Sequence, residues 1–168
     1  MKECLLCNKE LKTSEHFTDL IFINQQEKWI CKECKENFEQ IGEIHCPRCF
    51  KYKEEKVCKD CEFWEDKGNT VQHEALYRYN GAMKDYFKRY KFEGDRLLGM
   101  VFASDIKKAL KKYKNYTIIP TPISHEKKQE RGFNQVSTIL DFAEIKYNNL
   151  FQKEDTLAQS KKTREERL

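Results

Sequence analysis

The sequence predicts an α+β chain in two parts, a small metal-stapled module followed by an α/β domain, and three observations carry that prediction. All eight cysteines fall into four Cys-x-x-Cys pairs within the first 61 of 168 residues. From Ala75 onward, short strand-like runs alternate with apolar residues at helical spacing. The charge divides as well: residues 1–64 hold 11 Lys+Arg against 13 Asp+Glu, whereas residues 65–168 hold 21 against 15. The boundary is placed near Gly68, giving parts at 1–67 and 68–168.

The pairs are Cys4/Cys7, Cys31/Cys34, Cys46/Cys49 and Cys58/Cys61. A Cys-x-x-Cys turn lets two thiolates converge on one soft tetrahedral ion, and two such knuckles complete its shell. The reading is a double zinc ribbon with two zinc ions on eight cysteines. A thioredoxin-like redox motif needs one pair beside a βαβ unit, and a disulfide framework suits an oxidising compartment. Four pairs packed this closely do not look like the first, the lack of a visible secretory start weighs against the second, and an iron–sulfur cluster remains as the minor alternative. Sequential pairing closes the shorter loops and is favoured on chain entropy, with cross-brace pairing left open. His16 and His45 are read as surface residues, since four cysteines per ion suffice. Each tetrathiolate zinc would carry a net −2, so the first part is acidic once metallated and acts as a folding staple or a docking surface.

Within this part, Thr18 to Ile23 and Lys28 to Ile30 read as strands of a hairpin around Asn24, Gln25 and Gln26. Trp29 is expected to cover the metal. Lys35 to His45 reads as a short turn or helix between knuckles, and Glu62 to Glu74 as a linker. Apolar content of 39% and charged content of 36% exclude a membrane protein. The longest apolar stretch, Leu97 to Ala103, is interrupted by Gly99 and too short to span a bilayer, so no membrane insertion is expected. The start reaches a cysteine pair before any apolar run, unlike a secretory signal, and the cytoplasm is the expected compartment.

The second part opens with a period-two strand, Ala75 to Tyr79, ending at an Asn80-Gly81 turn signal. A helix follows, with Met83, Phe87 and Tyr90 on its apolar face and Lys84, Lys88 and Lys91 on a neighbouring stripe. With Arg89 among them, and Tyr86 and Phe92 interleaved, these cations make a candidate surface for single-stranded nucleic acid. After Gly94-Asp95, a second helix carries Leu98, Phe102, Ile106, Ala109, Leu110 and Tyr113 inward and Lys107, Lys108, Lys111 and Lys112 outward. Asn115 ends it. Tyr116 to Ile119 reads as a short buried strand running into Pro120-Thr121-Pro122, a loop placed where α/β folds bind ligands. Thr121, Ser124, Arg131, Gly132, Asn134 and Gln135 are its candidate substrate-binding residues. Arg131 is a suitable phosphate fork, and Gly132 marks a backbone position needing freedom. Val136, Ile139, Leu140 and Ala143 give a third helix.

These motifs together resemble the ComF/ComFC family. The resemblance rests on the four knuckles, Tyr79-Asn80-Gly81, Tyr90 to Asp95, Ile119 to Ser124, and above all Arg131-Gly132-Phe133-Asn134-Gln135. Thr156, Gln159, Ser160, Arg164 and Arg167 resemble a later stretch of the family. The resemblance implies a double zinc ribbon fused to a type I phosphoribosyltransferase domain, associated with uptake of transforming DNA in competent bacteria. Such domains hold phosphoribosyl pyrophosphate on a strand ending in paired acids and a Thr-Thr-Gly turn.

This chain contains neither Asp-Asp nor Thr-Thr-Gly. Glu154-Asp155-Thr156 is a superficial substitute, because Leu157-Ala158-Gln159 supplies no glycine turn. The second part is therefore expected to be an incomplete α/β phosphoribosyltransferase-type domain that stops at Leu168 before the phosphoribosyl-pyrophosphate loop. Catalytic residues are not assigned, and magnesium is expected only with transferase activity. The expected function is that of a zinc-binding competence protein. It would support DNA uptake through single-stranded DNA and contacts with competence machinery proteins, without engaging phosphoribosyl pyrophosphate. An active phosphoribosyltransferase and a zinc-ribbon interaction module with a vestigial domain are the alternatives.

Overall fold

A computed structural model describes residues 3–11, 29–70, 72–154 and Thr163. Among these residues, helices carry the regular structure and strand pairing is confined to isolated bridges. The helices are α1 (Lys32–Glu36), α2 (Lys59–Asp66), α3 (Gly81–Phe92), α4 (Met100–Leu110), α5 (His125–Arg131) and α6 (Gln135–Phe142). Short 3-10 turns at Arg96–Gly99 and Lys111–Tyr113 flank α4. The chain forms two compact units, one of residues 31–86 and one of residues 1–30 with 87–168.

The unit of residues 31–86 has a cluster of buried cysteines and, besides them, buried Phe38, Met83 and Tyr86. Cys46, Cys58 and Cys61 are buried together, with Cys49 and Val57 against them. Beside them Phe38 is buried and meets Tyr77 and Tyr86 edge-on, at centroid distances of 6.4 and 6.2 Å. The expected strand at 75–79 pairs with 39–41 through one antiparallel bridge, Gln40 to Tyr77. The Ile41 and Arg78 amides donate to the Leu76 and Glu39 carbonyls on either side of it. Asn80 then behaves as a helix cap rather than as a hairpin turn. Its Oδ1 accepts from the Met83 amide at 3.0 Å, satisfying an otherwise orphaned N–H of α3. The expected linker begins later than its composition suggests, because residues 62–66 belong to α2.

In the other unit, α4 packs along α6, and the turn Arg96–Gly99 joins both. Leu98, Val101, Phe102, Ala103, Leu140 and Ala143 are buried there; helical spacing predicts Leu98, Phe102, Leu140 and Ala143, whereas the expected Ile106, Ala109, Leu110 and Tyr113 are half-buried. Tyr90, fully buried, lies 5.4 Å from the Phe133 ring and donates to the Gln135 carbonyl at 2.7 Å. Gly99 is a point of close approach: a Cβ there would lie 3.0 Å from both the Phe142 ring and the Tyr90 hydroxyl oxygen.

Two expectations change in this unit. Residues 116–119 are not a buried strand, since Tyr116 and Ile119 are exposed and no ladder forms along them. The Asn148 amide donates to the Ile118 carbonyl at 2.9 Å, and Ser124 makes a parallel bridge with Lys153. Two isolated points of pairing leave the rest of the segment extended but unladdered. The second change is α5, whose sequence His-Glu-Lys-Lys-Gln-Glu-Arg has no apolar face and so no periodic signal. Its ends are chemically marked nonetheless. The Ser124 hydroxyl accepts from the Lys127 amide, and Gly132 closes the helix at φ 81°, a left-handed conformation that glycine adopts without strain. The expected hairpin of residues 18–30, apart from its last two positions, lies outside the described residues, as do His16, Thr156, Gln159, Ser160, Arg164 and Arg167.

Candidate metal centres

Two knuckles are built to one plan. In the first, the Cys4 amide donates to the Lys9 carbonyl at 2.9 Å and the Asn8 amide to the Cys4 carbonyl at 2.8 Å. In the second, the Cys46 amide donates to Lys51 at 2.9 Å and the Phe50 amide to Cys46 at 3.0 Å. Asn8 and Phe50 occupy equivalent left-handed positions, φ 58° and 59°, and the bridges Glu3–Glu10 and His45–Tyr52 close the turns at matching offsets. The partner cysteines share a second plan. Cys31 and Cys58 are the N-caps of α1 and α2, with Cys34 and Cys61 in or beside the first turn.

Cys4, Cys7, Cys31 and Cys34 form one group and Cys46, Cys49, Cys58 and Cys61 another, the sulfurs of each lying within 4.8 Å of one another. The grouping is sequential, not cross-braced. In the second group Cys46 Sγ lies 3.9 Å from Cys61 Sγ, and Cys49 Sγ lies 3.6 Å from Cys58 Sγ. A tetrahedron of Zn–S bonds has an edge of ~3.8 Å, so both tetrads fit a double zinc ribbon. His45 is in neither group and stacks on Phe50 at 3.9 Å.

The second tetrad needs a cation to ionise fully. Burial pushes the Cys46 thiol up, but the backbone N–H groups of Cys49, Arg48 and Cys58 outweigh it and bring it down to about 6. Burial holds Cys61 far above the ordinary thiol range, with neighbouring sulfurs adding to it, and burial also raises Cys49. Four thiolates this close repel one another, and a divalent ion removes that penalty while taking the thiol protons' place.

The polar residues after Pro120 are joined to one another and to α3. Arg131 donates through Nε to the Lys91 carbonyl at 2.8 Å and through Nη1 to Gln135 Oε1. Asn134 caps α6, its Oδ1 accepting from Val136 and Ser137, while its Nδ2 donates to the Thr121 carbonyl at 3.0 Å. Ser124 is buried at the start of α5, and Gly132 ends that helix. The Arg-Gly-Phe-Asn-Gln segment thus latches α3, α5 and α6 around Tyr90 and Phe133. Sequence reasoning singled out these residues as substrate ligands and did not anticipate this set of internal bonds.

Comparison with known proteins follows the same motifs. The chain is 43% identical over 166 residues to competence protein ComFC of Streptococcus pneumoniae (strain ATCC BAA-255 / R6), covering 99% of this chain and 76% of that protein. It is 31% identical over 173 residues to competence protein ComFC of Bacillus subtilis (strain 168), covering 98% and 72%. The chain belongs to the ComFC family. No family model matches it, and no solved structure matches it.

The four α3 cations of this ComFC-family chain do not share one free face. Lys84 is exposed, and Lys88 is exposed but within 3.8 Å of Glu93. Arg89 is half-buried and donates to the carbonyls of Leu6 and Leu5 at 3.0 and 2.9 Å, and to Asp95 at 2.9 Å. It therefore ties the first knuckle to α3. Lys91 lies 4.1 Å over the Phe87 ring, its pKa lowered by burial and then by Arg131. Among the described residues no helix is long and apolar enough to cross a membrane.

Proposed function

We propose that this chain is a zinc-binding competence protein of the cytoplasm that supports uptake of transforming DNA by contacting single-stranded DNA and other competence proteins. The observation that carries the reading is the 43% identity to a competence protein across nearly the whole chain. Zinc is the ion proposed for both tetrads, since four thiolates at tetrahedral spacing are its commonest structural shell. The excess of cations in residues 65–168 supplies the charge that phosphate contact requires.

The second part is proposed as a phosphoribosyltransferase-type domain whose polar loop serves structure. Arg131, Asn134 and Gln135 make hydrogen bonds within the chain, and the sequence contains neither Asp-Asp nor Thr-Thr-Gly, so no phosphoribosyl transfer is assigned to it. Binding of the zinc-loaded chain to a labelled single-stranded oligonucleotide, followed by filter retention at two salt concentrations, tests the DNA contact. Affinity should fall steeply with salt, by about 0.7 in the logarithmic slope for each phosphate engaged. Retention that is absent, or indifferent to salt, would remove DNA from the proposal.

A further inference from the structure

The outward lysines of α4 and of the residues after it gather on one surface. From Ile106 to His125 the chain has five lysines and no acidic residue. Where the turn Lys111–Tyr113 follows α4, three of them, Lys107, Lys111 and Lys114, border a recess of about 330 Å³, at the small end of ligand-binding cavities. Its apolar floor is Leu110, Ile118 and Ile145. Tyr113 and Tyr116 stand in it edge to face, 5.5 Å apart at 85°, and Tyr116 is 69% exposed.

The cations divide by task. Lys107 is held by Glu144 at 2.7 Å, which fixes one side of the recess. Lys111, Lys114 and Lys146 line the recess, are exposed, and have no ion pair among the described residues. Lys112 leans over the Tyr113 ring at 5.2 Å, making the aromatic wall locally positive. An exposed tyrosine above an apolar floor, ringed by unpaired cations, offers a base-sized stacking platform and phosphate contacts together. Paired and stacked bases of a duplex cannot enter such a recess, whereas an unstacked base of a single strand can.

We propose that this recess is the docking site for single-stranded DNA, with a base on Tyr116 and the flanking phosphates on Lys111, Lys114 and Lys146. The placement rests on the DNA-binding reading above, and it moves the contact away from α3. The test is fluorescence anisotropy of a labelled oligothymidine strand with the full zinc-loaded chain. Two double variants of equal charge change are compared, K111E/K114E and K84E/K88E, with thermal melts to show that both fold.

At low salt K111E/K114E should weaken binding at least tenfold and flatten the logarithmic salt slope by about 1.4, two contacts at about 0.7 each. Tyr116→Ala should weaken it about tenfold through lost stacking. K84E/K88E should stay within about twofold of the unaltered chain, its charge change lying away from the strand. If the unaltered chain binds but K84E/K88E is the damaging pair, or Tyr116→Ala has no effect, the placement is overturned. Equal affinity for a duplex of the same length overturns the single-strand assignment. If the unaltered chain binds no oligonucleotide, the DNA-binding reading itself fails, and that result is distinct from the others.

Discussion

Tyr90 shows at the scale of one residue how packing and hydrogen bonding reinforce each other here. Burial pushes its phenol well above the ordinary tyrosine range, so it remains a neutral donor. That donor holds the Gln135 carbonyl at the start of α6, beside the Gly99 approach. Tyr90→Phe keeps the ring in place against Phe133 but strips the carbonyl of its partner. It should cost about 1–2 kcal/mol, read from the shift in the denaturant midpoint at unchanged slope. A larger loss with an altered slope would mean that the hydroxyl organises more than one helix end. Arg89 teaches a related point. A cation on a helix stripe looks free in sequence, yet two carbonyls of the first knuckle and Asp95 occupy it.

At the scale of elements, legibility followed apolar periodicity. Helices α3, α4 and α6 could be read because Met83, Phe87, Tyr90, Leu98, Phe102, Leu140 and Ala143 recur at helical spacing and are buried or half-buried. Helix α5 could not, because none of its residues is apolar; Ser124 and Gly132 were the signal that was present and unused. The cysteines were legible as ligands from their spacing, whereas their sequential grouping was favoured but left open against a cross-brace. The internal bonds of Arg131, Asn134 and Gln135 were not, because a fork that suits phosphate suits carbonyls equally well. Asn134 tests the latch. Asn134→Ala removes the cap of α6 and the bond to Thr121, and should lower stability by about 1–2 kcal/mol in chemical denaturation, whereas Asn134→Asp retains the cap and should recover most of it. Equal losses for both would show that the Thr121 bond, rather than the cap, is the important one.

At the scale of the whole molecule, the two units rest on different physics. The α4–α6 unit has an apolar core of ordinary kind, while residues 31–86 bury cysteines where others bury leucines. Removing metal should therefore unfold the second selectively. Hydrogen exchange after chelation should show amides of α2 and of 44–53 losing protection while α4 and α6 keep theirs. Uniform loss across both would mean that the helical unit also depends on the ion. The repeated knuckle carries one more consequence. The two tetrads share a construction, yet Cys7 is exposed while Cys46, Cys58 and Cys61 are buried. Identical coordination thus comes with unequal access. An ion held by the N-terminal tetrad should therefore exchange sooner, and its exposed Cys7 thiolate should meet oxidants before the buried sulfurs of the second tetrad do.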